Sequence, residues 1–324
     1  MTRRIPIFLI IFLAAFSMVD LSAARPREIW ERYTVVFIGE KRDNPANGAI
    51  MHGARAAADV LEHQYKLEIT ITDLTPVTPD GQKQALRDSF VEGAKAVIID
   101  IANADALSEE LDLLKRQGVY VITIDSEGPA DFHLATIEND NRLLGMRAYE
   151  AAAALLKQGD EISVFAGDLT NPINQERLDG FQDMAGQVGK LSIAEVYSGE
   201  EDVSEAINLI HQVQAGDRDE ALDGWVFLGP WPLMSATPLP WEPGKEVCVA
   251  IDALPQSLAY LAQGQVNALV TRSYFGWGKS AMEIAINAIH LKVTPEKDTY
   301  RFGGEIVTRE RLDEVAQDWA IWMQ

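Results

Sequence analysis

Asn44-Pro45-Ala46-Asn47, with Gly53 six residues on, and Asn171-Pro172-Ile173-Asn174, with Gly180 six residues on, spell one pattern, N-P-x-N-x5-G, at an offset of 127 residues. The same offset separates Asp125, which ends the apolar run Val119-Tyr120-Val121-Ile122-Thr123-Ile124, from Asp252, which ends Val247-Cys248-Val249-Ala250-Ile251. Two motif pairs at one spacing indicate two equivalent units built on one plan. A groove lies between two such units, and function is to be sought there.

Outward from these motifs, short apolar runs alternate with helical patterns. Residues 35–38, 67–71, 96–99 and 119–124 read as strands of the first unit, and 162–166, 193–197, 225–228 and 247–251 as strands of the second. The stripe Ile50, Ala54, Ala57, Ala58 and Leu61 marks one intervening helix, and Leu107, Leu111 and Leu114 another. Strands apolar on both faces and separated by helices predict parallel sheets covered on both sides. Right-handed crossovers then bring every strand's carboxyl end to one edge, where such sheets bind ligands. The fold class is therefore α/β, with two Rossmann-like lobes joined by a hinge of more than one crossing. Crossings are expected near 138–141 and at Arg272-Ser273, after a strand at 268–270. A helix over about 275–290 rejoins the first lobe, and a C-terminal helix around 311–319 joins the second. The expected lobes are 25–138 plus 273–302 and 139–272 plus 303–324.

Arg3 and Arg4, the apolar run from Ile5 to Val19, and the small residues Ser22-Ala23-Ala24 describe a secretory signal peptide over 1–24. Export to the periplasm is the expectation. No later stretch offers 18 uninterrupted apolar residues. The net charge of −21 disfavours nucleic acid and anionic membranes as partners. The one cysteine, Cys248, lies in an apolar strand and reads as a small core residue.

The chain resembles the type I periplasmic binding proteins, in particular their ribose-binding-like branch. The resemblance runs from Tyr33-Thr34-Val35-Val36 and Asn44-Pro45 through Gly93-Ala94-Lys95-Ala96-Val97-Ile98-Ile99 and Gly118-Val119 to Asp125. Asn139-Asp140-Asn141, Arg177-Leu178-Asp179-Gly180-Phe181 and Ile251-Asp252 complete it. It implies capture of a small sugar between two lobes and delivery to a membrane ABC permease, by a monomer. The family's DNA-binding members carry an N-terminal helix-turn-helix, for which the short stretch before Tyr33 leaves no room.

Candidate ligand-binding residues are Asn44, Asn47, Asp125, Ser126, Asn174, Arg177, Trp231, Asp252 and Arg272. Asn44 can donate to and accept from a sugar hydroxyl, or simply start a turn. Asp125 and Asp252 can each accept from hydroxyls, or cap the next element. Arg177, assigned to ligand by the resemblance, could instead pair with surface acids. Together with Arg272 it could clamp a carboxylate, which keeps a sugar acid open as ligand. Trp231 can cover a sugar ring or fill the space of a helix shortened by Pro230, Pro232, Pro238, Pro240 and Pro243. Glu40 and Lys41 are weaker cleft candidates. Ser126 stands where related sugar binders carry an arginine.

No H-E-x-x-H, thiolate cluster or G-x-S-x-G elbow is present in the sequence, so neither catalysis nor a metal or cofactor is expected. Gly278-Lys279-Ser280 reads as a helix start and not as a phosphate loop. Alternative outputs are a sensor that presents its ligand to a membrane receptor kinase and a secreted glycoside hydrolase using Asp125 and Asp252.

Overall fold

Val35, Val36, Phe37 and Ile38 are all fully buried and form the inner half of strand β1 (Glu31–Ile38). A computed structural model describes residues 30–39, 44–74, 76, 78–126, 132–216 and 222–324. The expected signal peptide and the weaker candidates Glu40 and Lys41 lie outside the described residues. Glu31–Gln324 form one compact unit.

β1 leads into α1 (Pro45–Tyr65), β2 (Leu67–Asp73), α2 (Pro79–Val91), β3 (Ala96–Ile99), α3 (Ala104–Arg116), β4 (Tyr120–Ile124) and β5 (Ala135–Asn139). The second half repeats the order with α4 (Asn141–Leu155), β6 (Glu161–Gly167), α5 (Pro172–Val188), β7 (Ser192–Ser198), α6 (Val203–Ala215), β8 (Gly224–Phe227) and β9 (Val247–Ile251). Then come α7 (Pro255–Gln263), β10 (Ala268–Val270), α8 (Tyr274–Ile286), β11 (Thr299–Phe302), β12 (Ile306–Thr308) and α9 (Leu312–Trp322).

The strands form two six-stranded sheets with matching orders, β2-β1-β3-β4-β5-β11 and β7-β6-β8-β9-β10-β12. Every pairing is parallel except β12 against β10, so the expectation of parallel sheets needs correction at one edge. That exception is geometric: β12 follows directly on a crossing and enters its sheet from the strand-end side.

Strands β5, β11 and β12 escape a reading based on apolar runs. β5 is Ala-Thr-Ile-Glu-Asn, and β11 is half-exposed at a sheet edge. The chain passes between sheets at residues 139–141, 271–273 and 303–305.

The repeated glycines have one physical cause. Helix α1 packs on α8, and α5 packs on α4. A Cβ on Gly53 would lie 2.0 Å from the Phe275 carbonyl oxygen, and one on Gly278 1.7 Å from that of Ile50. In the second half, a Cβ on Gly180 would lie 2.0 Å from the Arg142 oxygen and one on Gly145 1.8 Å from the Arg177 oxygen. Each sheet thus carries a pair of helices whose backbones touch through reciprocal glycines. This corrects the reading of Gly278-Lys279-Ser280 as a helix start. The segment sits inside α8, where Gly278 makes room for α1.

Helix α9, expected on the second half, packs on α7 and also reaches α1 of the first. Trp319 donates from Nε1 to the Ala253 carbonyl at 2.8 Å, while Trp322 stacks on Phe275 of α8 with ring centroids 5.9 Å apart. Tryptophans near its end hold this amphipathic helix to both halves.

Candidate ligand-binding site

Each N-P-x-N loop opens a helix in the same way. Asn44 and Asn171 have nearly equal backbone angles (φ −73°, ψ 115° and φ −81°, ψ 117°). Each side-chain oxygen accepts from the amide two residues on, Ala46 or Ile173, at 3.0 Å. Proline at the first helical position leaves no amide without a partner there. The second asparagines are also engaged locally. Asn47 lies against Gly39. Asn174 is buried and donates to the Asp168 carbonyl at 3.0 Å and to Glu201 at 2.6 Å.

The two repeated aspartates share an unusual backbone. Asp125 (φ 59°) and Asp252 (φ 133°) have positive φ values that side-chain-bearing residues seldom adopt. Helix α7 is capped by Leu254, with no side-chain cap bond, so Asp252 does not serve it. Both carboxylates instead face Arg272 at the second crossing. Its guanidinium lies 2.5 Å from Asp125 Oδ1 and 3.6 Å from Asp252 Oδ2. With its amide oxygen turned inward, Asn139 of the first crossing accepts from Arg272 Nε and Nη2 at 2.8 and 2.9 Å. The guanidinium also lies over the rings of Tyr274 and Trp277, 4.9 and 5.1 Å from their centroids.

Tyr274 donates its hydroxyl proton to Asp252 Oδ2, while Asp252 Oδ1 is buried with no partner among the described residues. Unusual backbone and an unsatisfied buried oxygen thus coincide at Asp252. Burial raises the Asp252 carboxyl above the usual carboxylate range, against the pull of Arg272, Tyr274 and Arg177. Burial likewise pushes the Tyr274 hydroxyl well up.

Arg177 of α5, expected to face a ligand or a surface acid, is buried. Its Nε donates to Asn141 Oδ1 at 3.0 Å and its Nη1 to the Leu228 carbonyl at 3.1 Å. Desolvation and the nearby charge of Arg272 lower its guanidinium to about 10, so it stays charged at neutral pH. The surface ion pair considered for it is not formed among the described residues.

The structure therefore brings four of the nine candidates into one cluster: Asp125, Arg177, Asp252 and Arg272. The other five are engaged within their own halves. Ser126 Oγ accepts from the Ile101 amide at 2.7 Å and tethers the β3–α3 connection. The ring of Trp231 lies on Gly167 and Gly229, where added Cβ atoms would come within 2.7 and 2.2 Å of it, and packs edge-on against Phe165. Only a short 3-10 turn, Trp231–Met234, forms there.

Sequence reasoning left Asn139, Asn141 and Tyr274 out of the site. The asparagines flank a crossing, which was the available signal. Tyr274 belonged to an aromatic run that reads as core, and its ring is indeed buried while its hydroxyl serves Asp252.

A profile described as "Periplasmic binding protein domain" matches residues 35–292, and the chain belongs to that family. It is 25% identical over 166 residues to the ribose import binding protein RbsB of Escherichia coli (strain K12), a match covering 51% of this chain and 54% of that protein. The chain thus spans about half the length of that curated relative. The Bacillus subtilis (strain 168) ribose import binding protein is 24% identical over 220 residues, covering 66% of this chain and 70% of the relative. Among solved structures, a periplasmic ribose ABC transporter protein from Conexibacter woesei aligns with a TM-score of 0.74 at 17% identity over 89% of this chain and 95% of the other. The arabinose binding protein AraP of Geobacillus stearothermophilus also gives 0.74 at 17%, over 87% and 99%. These likenesses agree with the architecture of two α/β halves.

Proposed function

We propose that this chain is a periplasmic solute-binding protein that captures a monosaccharide or sugar derivative between its halves and delivers it to a membrane ABC permease. One observation carries the reading. Asp125 and Asp252, one from each sheet, occupy equivalent strand ends with positive φ and converge on a single arginine at the crossing.

Residues 25–138 plus 273–302 and 139–272 plus 303–324 act as two bodies that separate to admit the ligand and close to exclude water. Ligand hydroxyls donate to Asp125 and to the unpartnered Asp252 Oδ1 and accept from Arg177 and Arg272. The remaining candidates Asn44, Asn47, Ser126, Asn174 and Trp231 shape the loops around these groups. A micromolar dissociation constant requires about −8 kcal/mol, within reach of several charge-assisted hydrogen bonds formed in a dry cleft. The ribose import role of those relatives supports the choice of ligand class and of transport, and membership of the periplasmic binding protein family supports the periplasm. The aspartates hold hydroxyls and do no chemistry on them, so the protein is a binder and not an enzyme.

Calorimetry with a panel of pentoses, hexoses and sugar acids tests the reading. The expected result is saturable binding with Asp252→Asn weakened tenfold or more, as for loss of a hydrogen bond to a charged group, about 1.5–3 kcal/mol. Absence of heat with every member of the panel counts against it.

A further inference from the structure

Helix α3 carries Glu109, Asp112, Leu113 and Arg116 along one stripe, since residues three, four and seven apart share a helix face. These side chains line a groove of about 210 Å³ together with Glu110 and with Arg87 of α2. Leu113 is 41% exposed. The two helices each connect neighbouring parallel strands and therefore run in the same direction. Arg87 donates to Glu110 at 2.7 Å, which sets the last turn of α2 level with Leu113. That turn bears Phe90 and Val91, 42% and 82% exposed. Three large apolar side chains thus stand in solvent beside one groove, ringed by charges. An exposed apolar patch with a polar rim is the anatomy of a protein interface.

The order of charges along the stripe selects the partner. Acids stand at its start and middle, and the cation Arg116 at its end. Arg116 is engaged only by Asp112 one turn before it, a surface pair of the kind that costs little to rearrange. A second α3 laid antiparallel across the stripe sets Arg116 of each copy against Glu109 of the other. The two Leu113 side chains then meet at the centre, with Phe90 and Val91 closing over the flanks. A parallel arrangement would set like charges together. The stripe is therefore complementary to itself under a two-fold axis.

We propose that this face of α2 and α3 joins two copies of the chain into a two-fold dimer, in place of the monomer implied by the family resemblance. The net charge of −21 on each copy does not forbid it, because repulsion between exposed charges fades over about 8 Å at physiological salt. Contacts within the interface are shorter than that. Both binding clusters stay accessible: α3 starts beyond the carboxyl end of β3 and runs away from it, so residues 109–116 occupy its far half. The dimer does not depend on which solute the protein binds.

Sedimentation equilibrium on the purified chain at physiological salt tests the proposal. The expected result is a reversible dimer at micromolar concentration. Leu113→Glu, Glu109→Arg and Arg116→Glu should each weaken it by about tenfold or more. Thermal melts verify that the variants fold, and Leu155→Glu, a matching change at an exposed residue of α4, should leave association unchanged. Mixing the Glu109→Arg chain with the Arg116→Glu chain places opposite charges together again, so the two should associate with each other more tightly than either does with itself. That rescue reports the antiparallel pairing and not a general loss of structure. A monomer at every concentration overturns the proposal and leaves the face to a partner of different sequence. A dimer indifferent to the α3 variants, or a mixture without rescue, overturns it as well.

Discussion

The guanidinium of Arg272 stands 2.5 Å from the carboxylate of Asp125, a residue 147 positions earlier in the chain. Arg272 lies on a connection between the two sheets, Asp125 ends a strand of the first, and Asp252, 3.6 Å from the same guanidinium, ends a strand of the second. One cation thus neutralises an acid from each half at a crossing between the two sheets. The two carboxylates differ in surroundings: Asp252 is 2% exposed, whereas the Asp125 side chain retains 32%.

Arg272→Met leaves the Asp252 carboxylate buried without its cation. Losing one member of a buried pair costs about 3–5 kcal/mol. The Asp252 carboxyl is already raised in the folded state, so its contribution to stability is fully present below its unfolded value and is lost as pH rises through the folded one. Without Arg272 the folded value rises further. Urea unfolding should therefore show the variant's deficit to be larger at pH 7 than at pH 4, and an equal deficit at both would contradict this account.

Gly53→Ala, Gly278→Ala, Gly145→Ala and Gly180→Ala each drive a methyl group into a facing backbone carbonyl, with calculated separations of 1.7–2.0 Å. Helices must separate to relieve this, and overpacking of this kind costs about 1–3 kcal/mol or more. Gly186→Ala provides the control: it lies in α5 with nothing near its Cβ position and should stabilise by about 0.5–1 kcal/mol. Melting temperatures of the five variants should move in these opposite directions.

Asn44→Ala and Asn171→Ala remove equivalent caps, and each should cost about 1 kcal/mol in chemical denaturation. Asn171 also donates to Glu201 at 3.0 Å, so its variant should be the weaker of the two.

Cys248 is fully buried in β9, and burial pushes its thiol well up. A thiol so placed is unreactive in the native protein. A chromogenic thiol reagent should label it only in denaturant, at the rate of unfolding. Rapid labelling under native conditions would require β9 to open locally.

The helix and strand alternation was legible because runs such as Val35-Val36-Phe37-Ile38 are apolar on both faces, and only a covered parallel strand buries both. The repeat was equally plain, and it located Asp125 and Asp252 at equivalent strand ends before any coordinates. β5, β11 and β12 were not legible: they are short and partly polar, so none presents the continuous apolar run that marks the other strands. Asn139 and Asn141 stayed hidden because only the crossings bring them beside Arg272 and Arg177, and Tyr274 because only the fold sets its hydroxyl against Asp252.

The amino-acid order by itself determined two like α/β units, the equivalent glycines Gly53 and Gly180 and the acids at their strand ends, since each is written in local spacing. Only the tertiary structure decided which of those polar groups meet. Asn174 is consumed by Glu201, Trp231 rests on Gly167 and Gly229, and Arg272 gathers an aspartate from each half. Periodicity fixes which face a residue occupies, but contact between residues more than a hundred positions apart depends on how the two sheets and their crossings are placed in space.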